Sequence, residues 1–83
     1  MPTVAIVEGV KIMFFFGDHA PPHFHVDFAG HQAQIVIATL EILEGELPSA
    51  KLRKVREWAR PREKALMAAW DAASTRKNPG KIE

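Results

Sequence analysis

The 83-residue sequence contains no cysteine. This absence excludes a disulfide scaffold, thiol catalysis and metal sites built from thiolates, and it fits a reducing compartment. No apolar run approaches the roughly 18 residues that a membrane-spanning helix needs. The start Met1-Pro2-Thr3 leads directly into a strand-like segment, with no pattern of a signal peptide. We therefore expect a soluble, cytoplasmic protein.

The chain also lacks the motifs that identify common enzymes. It holds no GxSxG, P-loop, HExxH or GxGxxG pattern, and 83 residues leave no room for a Rossmann domain, a TIM barrel or a kinase. Hydrophobic residues make up 47% of the chain and charged residues 25%, a balance that favours folding over disorder. The composition therefore predicts one small folded domain and names no reaction.

The formal net charge of +1 conceals two halves of opposite sign. Residues 1–47 contain six acids and one base, whereas residues 48–83 contain ten bases and four acids. Such asymmetry suits a surface that binds phosphate or an acidic protein, and it equally suits attraction between the two halves. Both interpretations stay open at the level of sequence.

The first half of the chain has the alternation of a β-sheet. Residues 3–7 are β-branched and apolar, and side chains of alternating character follow over 10–16, 23–28 and 31–37, which together predicts four strands. A short apolar run at 40–43 predicts either a fifth strand or an irregular segment. The pairs Glu8-Gly9 and Ala29-Gly30 predict tight turns between antiparallel neighbours. The alternation places a phenylalanine-rich face against the core and the histidines on the other, more polar face.

The second half of the chain has helical spacing. Apolar residues recur at steps of three and four, which predicts one buried stripe: Leu52, Val55, Ala59, Leu66, Trp70 and Ala73. Pro61 lacks a backbone N–H and disfavours helical geometry at Arg60, so the helix is expected to divide or kink there. We predict an α+β domain over residues 1–74, with a mainly antiparallel sheet of four to five strands. Two C-terminal helices, or one kinked helix, cover one face of this sheet, and a disordered tail spans 75–83.

Three of the four histidines lie within seven residues and form the main candidate for a site. Asp18, His19, His23 and His25 surround a Pro-Pro turn, and the last two share one face of a predicted strand. Imidazoles with a nearby carboxylate can bind a divalent transition metal, with His19, His23 and His25 as candidate ligands. The same groups suit acid–base catalysis, or a purely structural role in which they bond to neighbouring strands. All three roles stay open.

A second candidate is a row of basic side chains on the predicted helix. Arg53, Arg56 and Arg60 follow at steps of three and four, so they can lie along one face and contact phosphate or a partner protein. Glu57 lies four residues after Arg53 and can neutralise part of this row. Nucleic-acid binding is therefore an alternative rather than the leading interpretation.

Several of these residues resemble a small bacterial family defined as a domain of unknown function. The resemblance rests on Gly-Asp-His-Ala-Pro-Pro-His-Phe-His-Val at residues 17–26, on Thr-Leu-Glu-Ile-Leu-Glu-Gly-Glu-Leu-Pro at 39–48, and on Trp58 and Trp70. It covers residues 1–73. The family pattern is an acidic residue and His followed by Pro-Pro-His-x-His, and the chain has Asp18 where Glu is more usual. Pro61 is a second departure, which puts the continuity of the last helices in question.

The resemblance implies a partner rather than a reaction. Members of that family resemble components of two-gene modules of the toxin–antitoxin kind, which implies a small protein partner encoded by a neighbouring gene. The leading hypothesis is therefore an interaction component of such a module. The alternatives are a histidine-dependent, metal-binding nuclease or hydrolase and a nucleic-acid-binding regulator. Exposed edge strands also allow a homodimer.

Overall fold

A five-stranded antiparallel sheet and a C-terminal helical segment form the structure. The computed structural model describes residues 2–83, so Met1, with which the predicted domain begins, lies outside the described residues. The elements in chain order are β1 (Thr3–Val7), β2 (Val10–Met13), β3 (His23–Phe28), β4 (His31–Val36), β5 (Ile42–Gly45), α1 (Ser49–Ala59), a 3-10 turn (Arg60–Arg62) and α2 (Glu63–Ser74). The predicted α+β class is confirmed.

The strands follow one another across the sheet in the order β1-β2-β3-β4-β5. Short turns at Glu8-Gly9 and Ala29-Gly30 reverse the chain between β1 and β2 and between β3 and β4, and longer segments join the other neighbouring strands. The central strand is β3, in which His25 lies opposite Met13 of β2 and opposite Gln34 of β4. The centre of β3 therefore has a paired strand on each side.

The predicted ends of two strands differ from the structure. The second strand ends at Met13 rather than at residue 16, because the chain leaves the sheet and the backbone N–H of Gly17 donates to the carbonyl oxygen of Ala73. The fifth strand runs from Ile42 to Gly45 rather than over 40–43. Leu40 instead belongs to a turn, in which it has a positive φ of 63° and its N–H donates to the carbonyl of Val36.

The core lies between one sheet face and the helices. Alternate residues of β2, β3 and β4 point towards the helices and are almost fully buried, among them Ile12, Phe24, Val26 and Ile35. The predicted helical stripe meets them, with Val55 and Leu66 at 0% exposure. Pleat and helical periodicity together therefore place the apolar side chains of both halves in one cluster.

The predicted division of the helix at Pro61 is confirmed. Pro61 lies in the 3-10 turn that joins α1 to α2, and Arg62 leaves helical geometry with φ −113° and ψ 20°. The guanidinium Nη1 of Arg62 donates to the carbonyl oxygen of Trp58. The two helices thus form one joined segment that covers the core face of the sheet.

The C-terminal residues after Thr75 have no regular secondary structure beyond a short turn. The N–H of Ile82 donates to the carbonyl of Val4 at 2.8 Å, and Lys81 Nζ donates to the carbonyl of Thr3. The disorder of residues 75–83 stays a prediction, and these contacts identify the strand beside which the tail lies. Among residues 2–83, no helix is long and apolar enough to cross a membrane.

We predict that Gly45→Ala destabilises the fold more than Gly30→Ala does. Both glycines have positive φ, 81° and 88°, so each substitution strains the backbone by about 1 kcal/mol. A β-carbon added at Gly45 would also lie 2.9 Å from the Cα of Ala33 and would clash with the Gln32 carbonyl, whereas at Gly30 no atom of residues 2–83 lies within 4 Å of the added carbon. We expect Gly45→Ala to cost about 2–3 kcal/mol, measured by urea unfolding. Equal losses in the two variants would contradict the β4–β5 packing.

Candidate functional site

The loop that carries Asp18 is held at both ends by backbone hydrogen bonds. At one end Gly17 donates to the carbonyl of Ala73 at the end of α2, at 3.0 Å. At the other end the carbonyl of Pro22 accepts from the N–H of Ile37, which follows β4. The peptide bond between Ala20 and Pro21 is cis. This loop therefore brings Asp18 to the end of the sheet at which β3 begins.

One oxygen of Asp18 lies against two imidazoles. Oδ2 of Asp18 is 2.9 Å from Nε2 of His23 and 2.9 Å from Nε2 of His25. The side chain of Asp18 is only 14% exposed and that of His25 only 13%. The two histidines are separated by one residue at the start of β3, and their ring centroids are 5.1 Å apart. We call these three residues, Asp18, His23 and His25, the site triad.

His23 is the buried member of the triad, with 1% exposure. Its Nδ1 lies 2.7 Å from the carbonyl oxygen of Pro21, which only accepts, so Nδ1 carries the proton and donates it. Its Nε2 has no hydrogen-bond partner among residues 2–83, although Oδ2 of Asp18 lies 2.9 Å away. The other side of the ring packs on Trp70 of α2, at 5.2 Å between centroids.

The contact with Trp70 corrects the prediction that the histidines lie on the polar face of the sheet. His25 does lie there, but His23 turns towards the helical side. The physical reason is its position at the first residue of β3, where the bond to the Pro21 carbonyl holds the ring over the end of the sheet.

His25 is the more accessible imidazole of the triad. Its ring stacks on Phe15 with 3.8 Å between centroids and an interplanar angle of 10°, and its Nε2 forms a hydrogen bond with Asp18. Both His25 and Phe15 also line a cleft of about 240 Å³ on the polar face of the sheet. His25 therefore connects the triad to that open face.

His19 lies outside the triad. Its side chain is 92% exposed, and its Nδ1 is 3.4 Å from Oδ1 of Asp18. Its backbone N–H donates to the same Oδ1 at 2.9 Å. The candidate cluster of four residues is thus brought together in the structure, with His23 and His25 on one carboxylate oxygen and His19 beside the other.

Opposing effects act on the pKa of Asp18. Burial raises the pKa. The hydrogen bond with His25, the backbone N–H of His19 and the Coulombic effects of His23 and His25 lower the pKa, and together they outweigh burial. The net result is a pKa below the usual value of 3.8, so the carboxylate is ionised at neutral pH. Asp18 therefore offers a negative charge to whatever cation or proton donor enters the triad.

The basic residues predicted on the helix are not a free row. Arg53 pairs with Glu57 at 3.3 Å, and Arg56 donates from Nε to the carbonyl of Leu40 at 2.9 Å. Arg60 is exposed in the 3-10 turn. Among residues 2–83, no hydrogen bond or ion pair joins these arginines to the triad. Contact with phosphate or a partner stays a prediction for all three.

Sequence reasoning missed three groups that position the imidazoles: Phe15, Trp70 and the Pro21 carbonyl. The alternation did place Phe15 and His25 on the same face of neighbouring strands, so their contact had a signal in the sequence. Trp70 lies 47 residues after His23, and no local pattern relates the two. The Pro21 bond depends on the path of the loop, which the composition Ala-Pro-Pro leaves open.

The triad offers two kinds of chemistry. Two imidazole nitrogens and one carboxylate oxygen, all within 4.8 Å of one another, can hold a metal ion. A histidine paired with an ionised carboxylate can also move a proton to or from a bound molecule. Both depend on Asp18, which contacts both imidazoles.

We predict that Asp18→Asn lowers stability by about 1–3 kcal/mol near pH 6, because it removes the charge that His25 bonds to. Because the pKa of Asp18 is lowered on folding, its ionised carboxylate stabilises the folded state at pH values above the usual pKa of 3.8. This stabilisation is lost as the pH falls through the folded-state pKa. The difference between wild type and Asp18→Asn should therefore shrink between about pH 5 and pH 2, measured by urea unfolding with a chelator present. A difference that stays constant over this range would contradict the assignment.

Comparison with known proteins identifies a family but no characterised relative. The family model described as "Domain of unknown function (DUF4160)" matches residues 9–71, which include β2 to β5, the triad and most of the helical segment. No curated protein and no solved structure matches the chain. Because the match covers most of its length, the chain belongs to the DUF4160 family, a family whose function is unknown.

Proposed function

We propose that the chain is the interaction component of a two-gene, toxin–antitoxin-like module and that it docks a small basic protein encoded by a neighbouring gene. The observation that carries this proposal is the uncovered face of the sheet. The helices pack against the opposite face, while Lys11, Gln32 and Glu44 remain exposed on this one. That a neighbouring gene encodes the partner is inferred from the resemblance to components of two-gene modules.

The uncovered face contains a cleft suited to a side chain of a partner. The cleft has a volume of about 240 Å³. Its lining combines apolar groups with amides and carboxylates: Met13, Phe15, His25, Asp27, Gln32, Gln34 and Glu44. Apolar walls with a few polar groups are typical of surfaces that bind a ligand or a partner side chain.

Charge favours a basic partner over an acidic one. The sheet half of the chain, residues 1–47, holds six acids and one base. Asp27 and Glu44 bring two of those acids to the cleft. Opposite charge on a partner accelerates association and orients it, whereas an acidic partner would be repelled. Lys11, the one base of the sheet half, lies opposite Asp27 on this face, whereas the basic helices lie against the other face of the sheet.

We predict that the chain and the neighbouring gene product co-purify after co-expression and bind at micromolar concentration. Glu44→Lys should weaken binding by roughly 10-fold or more, because it reverses a charge at the cleft. The matched control is Glu63→Lys, which makes the same charge change on exposed α2 and should bind as wild type does. Absence of a complex, or equal weakening by both variants, would overturn the proposal.

The triad favours a second candidate function, a histidine-dependent hydrolase or nuclease. Its support is the ionised Asp18 beside the accessible His25, an arrangement able to accept a proton from water. The separation of the arginines from the triad speaks against one phosphate site that uses both sets.

Hydrolysis of bis(p-nitrophenyl) phosphate tests this second function. Wild type should show turnover above background, and His25→Ala should reduce it by roughly 100-fold or more. Substitution of the remote, exposed His31 by Ala should leave the rate unchanged. Turnover that survives His25→Ala would assign the activity to a contaminant and remove this function.

A further inference from the structure

We propose that Asp18, His23 and His25 bind one divalent transition-metal ion through Oδ2 and the two Nε2 atoms. This inference goes beyond the docking of a partner protein, and its test does not require that partner. It rests on two separate observations: the convergence of three ligand atoms, and an unpartnered nitrogen buried among them.

The spacing of the ligand atoms fits a shared ion. Each Nε2 lies 2.9 Å from Oδ2 of Asp18. Ligands at bond lengths of about 2.1 Å are separated by about 3.0 Å at right angles and about 3.4 Å at tetrahedral angles. The two Nε2–Oδ2 separations match neighbouring corners of an octahedral or square arrangement, and all three ligand atoms lie within 4.8 Å of one another. Three protein ligands on such an ion leave further positions for water or another molecule.

The buried nitrogen of His23 has no hydrogen-bond partner among the described residues. Nδ1 of the ring lies 2.7 Å from the carbonyl oxygen of Pro21, so Nε2 is the ring nitrogen left for another ligand. Nε2 is buried and lies 2.9 Å from Oδ2 of Asp18. A buried polar atom without a partner carries a free-energy cost, which a bound cation would remove.

The contacts around the triad resemble those of a metal site. Ligating histidines generally donate their second ring N–H to a carbonyl or carboxylate, as His23 does to Pro21. The Phe15 ring stacks on His25, and the backbone N–H of His19 donates to Oδ1 of Asp18, so Oδ2 is left for both imidazoles. Hydrogen bonds from both imidazoles to Oδ2 are the competing arrangement, and titration with metal ions separates the two.

The donor set selects the class of metal. Two imidazole nitrogens and one carboxylate oxygen suit first-row ions such as Zn²⁺, Ni²⁺, Co²⁺ and Fe²⁺. Mg²⁺ and Ca²⁺ prefer sites made of oxygen alone, so they should bind far more weakly. His19 is exposed and is not among the proposed ligands. The proposed site therefore differs from the ligand set His19, His23 and His25 expected from the sequence, because Asp18 replaces His19.

Calorimetric titration of chelator-treated protein with ZnCl₂ and NiCl₂ tests the site. We expect one ion per chain at micromolar affinity or tighter, and no saturable binding of MgCl₂. Asp18→Asn, which preserves the size of the side chain, and His25→Ala should each weaken binding by roughly 100-fold or more. His19→Ala and His31→Ala should retain wild-type affinity, because neither side chain belongs to the triad.

Thermal unfolding distinguishes a variant that folds but does not bind the ion from a variant that fails to fold. An ion that binds the folded state raises the melting temperature, so ZnCl₂ should raise it in wild type and His31→Ala but not in folded Asp18→Asn. Absence of saturable binding by wild type would overturn the proposal. Binding that persists in both Asp18→Asn and His25→Ala would also overturn it, because the ion would then lie elsewhere.

Discussion

The pleat of β3 is the constraint on which both the core and the candidate site depend. Phe24 and Val26 point to the helices and are fully buried, whereas His25 and Asp27 point to the uncovered face. A shift of β3 by one residue would exchange these sets, placing charged groups in the core and aromatic groups in water. Because β3 is paired on both sides, its register is determined by the whole sheet. Stability and site geometry are thus set by the same strand.

The first residue of β3 shows how a polar side chain can be buried at the edge of such a core. His23 has 1% exposure, and one nitrogen is satisfied by the Pro21 carbonyl while the other faces the carboxylate of Asp18. An unpaired polar atom in this position carries a free-energy cost that a cation removes. The loop between Gly17 and Pro22 is the element that makes this possible, because its hydrogen bonds to Ala73 and Ile37 hold Asp18 over the ring.

His25 connects the two proposals made for this protein. It belongs to the triad through Nε2, and it lines the cleft of the uncovered face beside Phe15. A partner seated in the cleft would therefore contact a group that also binds the ion, and the two events are expected to influence each other. Glu44 lines only the cleft and Asp18 belongs only to the triad. These two residues therefore allow docking and ion binding to be studied separately.

Local periodicity predicted the α+β class and most of the strands and helices of this protein. Alternation over 23–28 and the turn at Ala29-Gly30 located β3 and β4, and the spacing from Leu52 to Trp70 predicted the buried helical stripe and its break at Pro61. These features are local, because a strand or helix buries whichever face its own repeat makes apolar. The end of β2 and the position of β5 were not predicted, since contacts with Ala73 and Val36 decide them.

The features of the site can likewise be separated into those that the sequence predicted and those that only the tertiary structure decided. The sequence by itself determined that Asp18, His19, His23 and His25 lie near one another, because they surround a short Pro-Pro turn at the start of a strand. Only the tertiary structure decided that His19 faces water, that Arg56 holds the Leu40 carbonyl, and that Trp70 packs on His23. The physical reason is that ring orientation and burial depend on atoms distant in the chain, which meet only when the helices pack against the sheet.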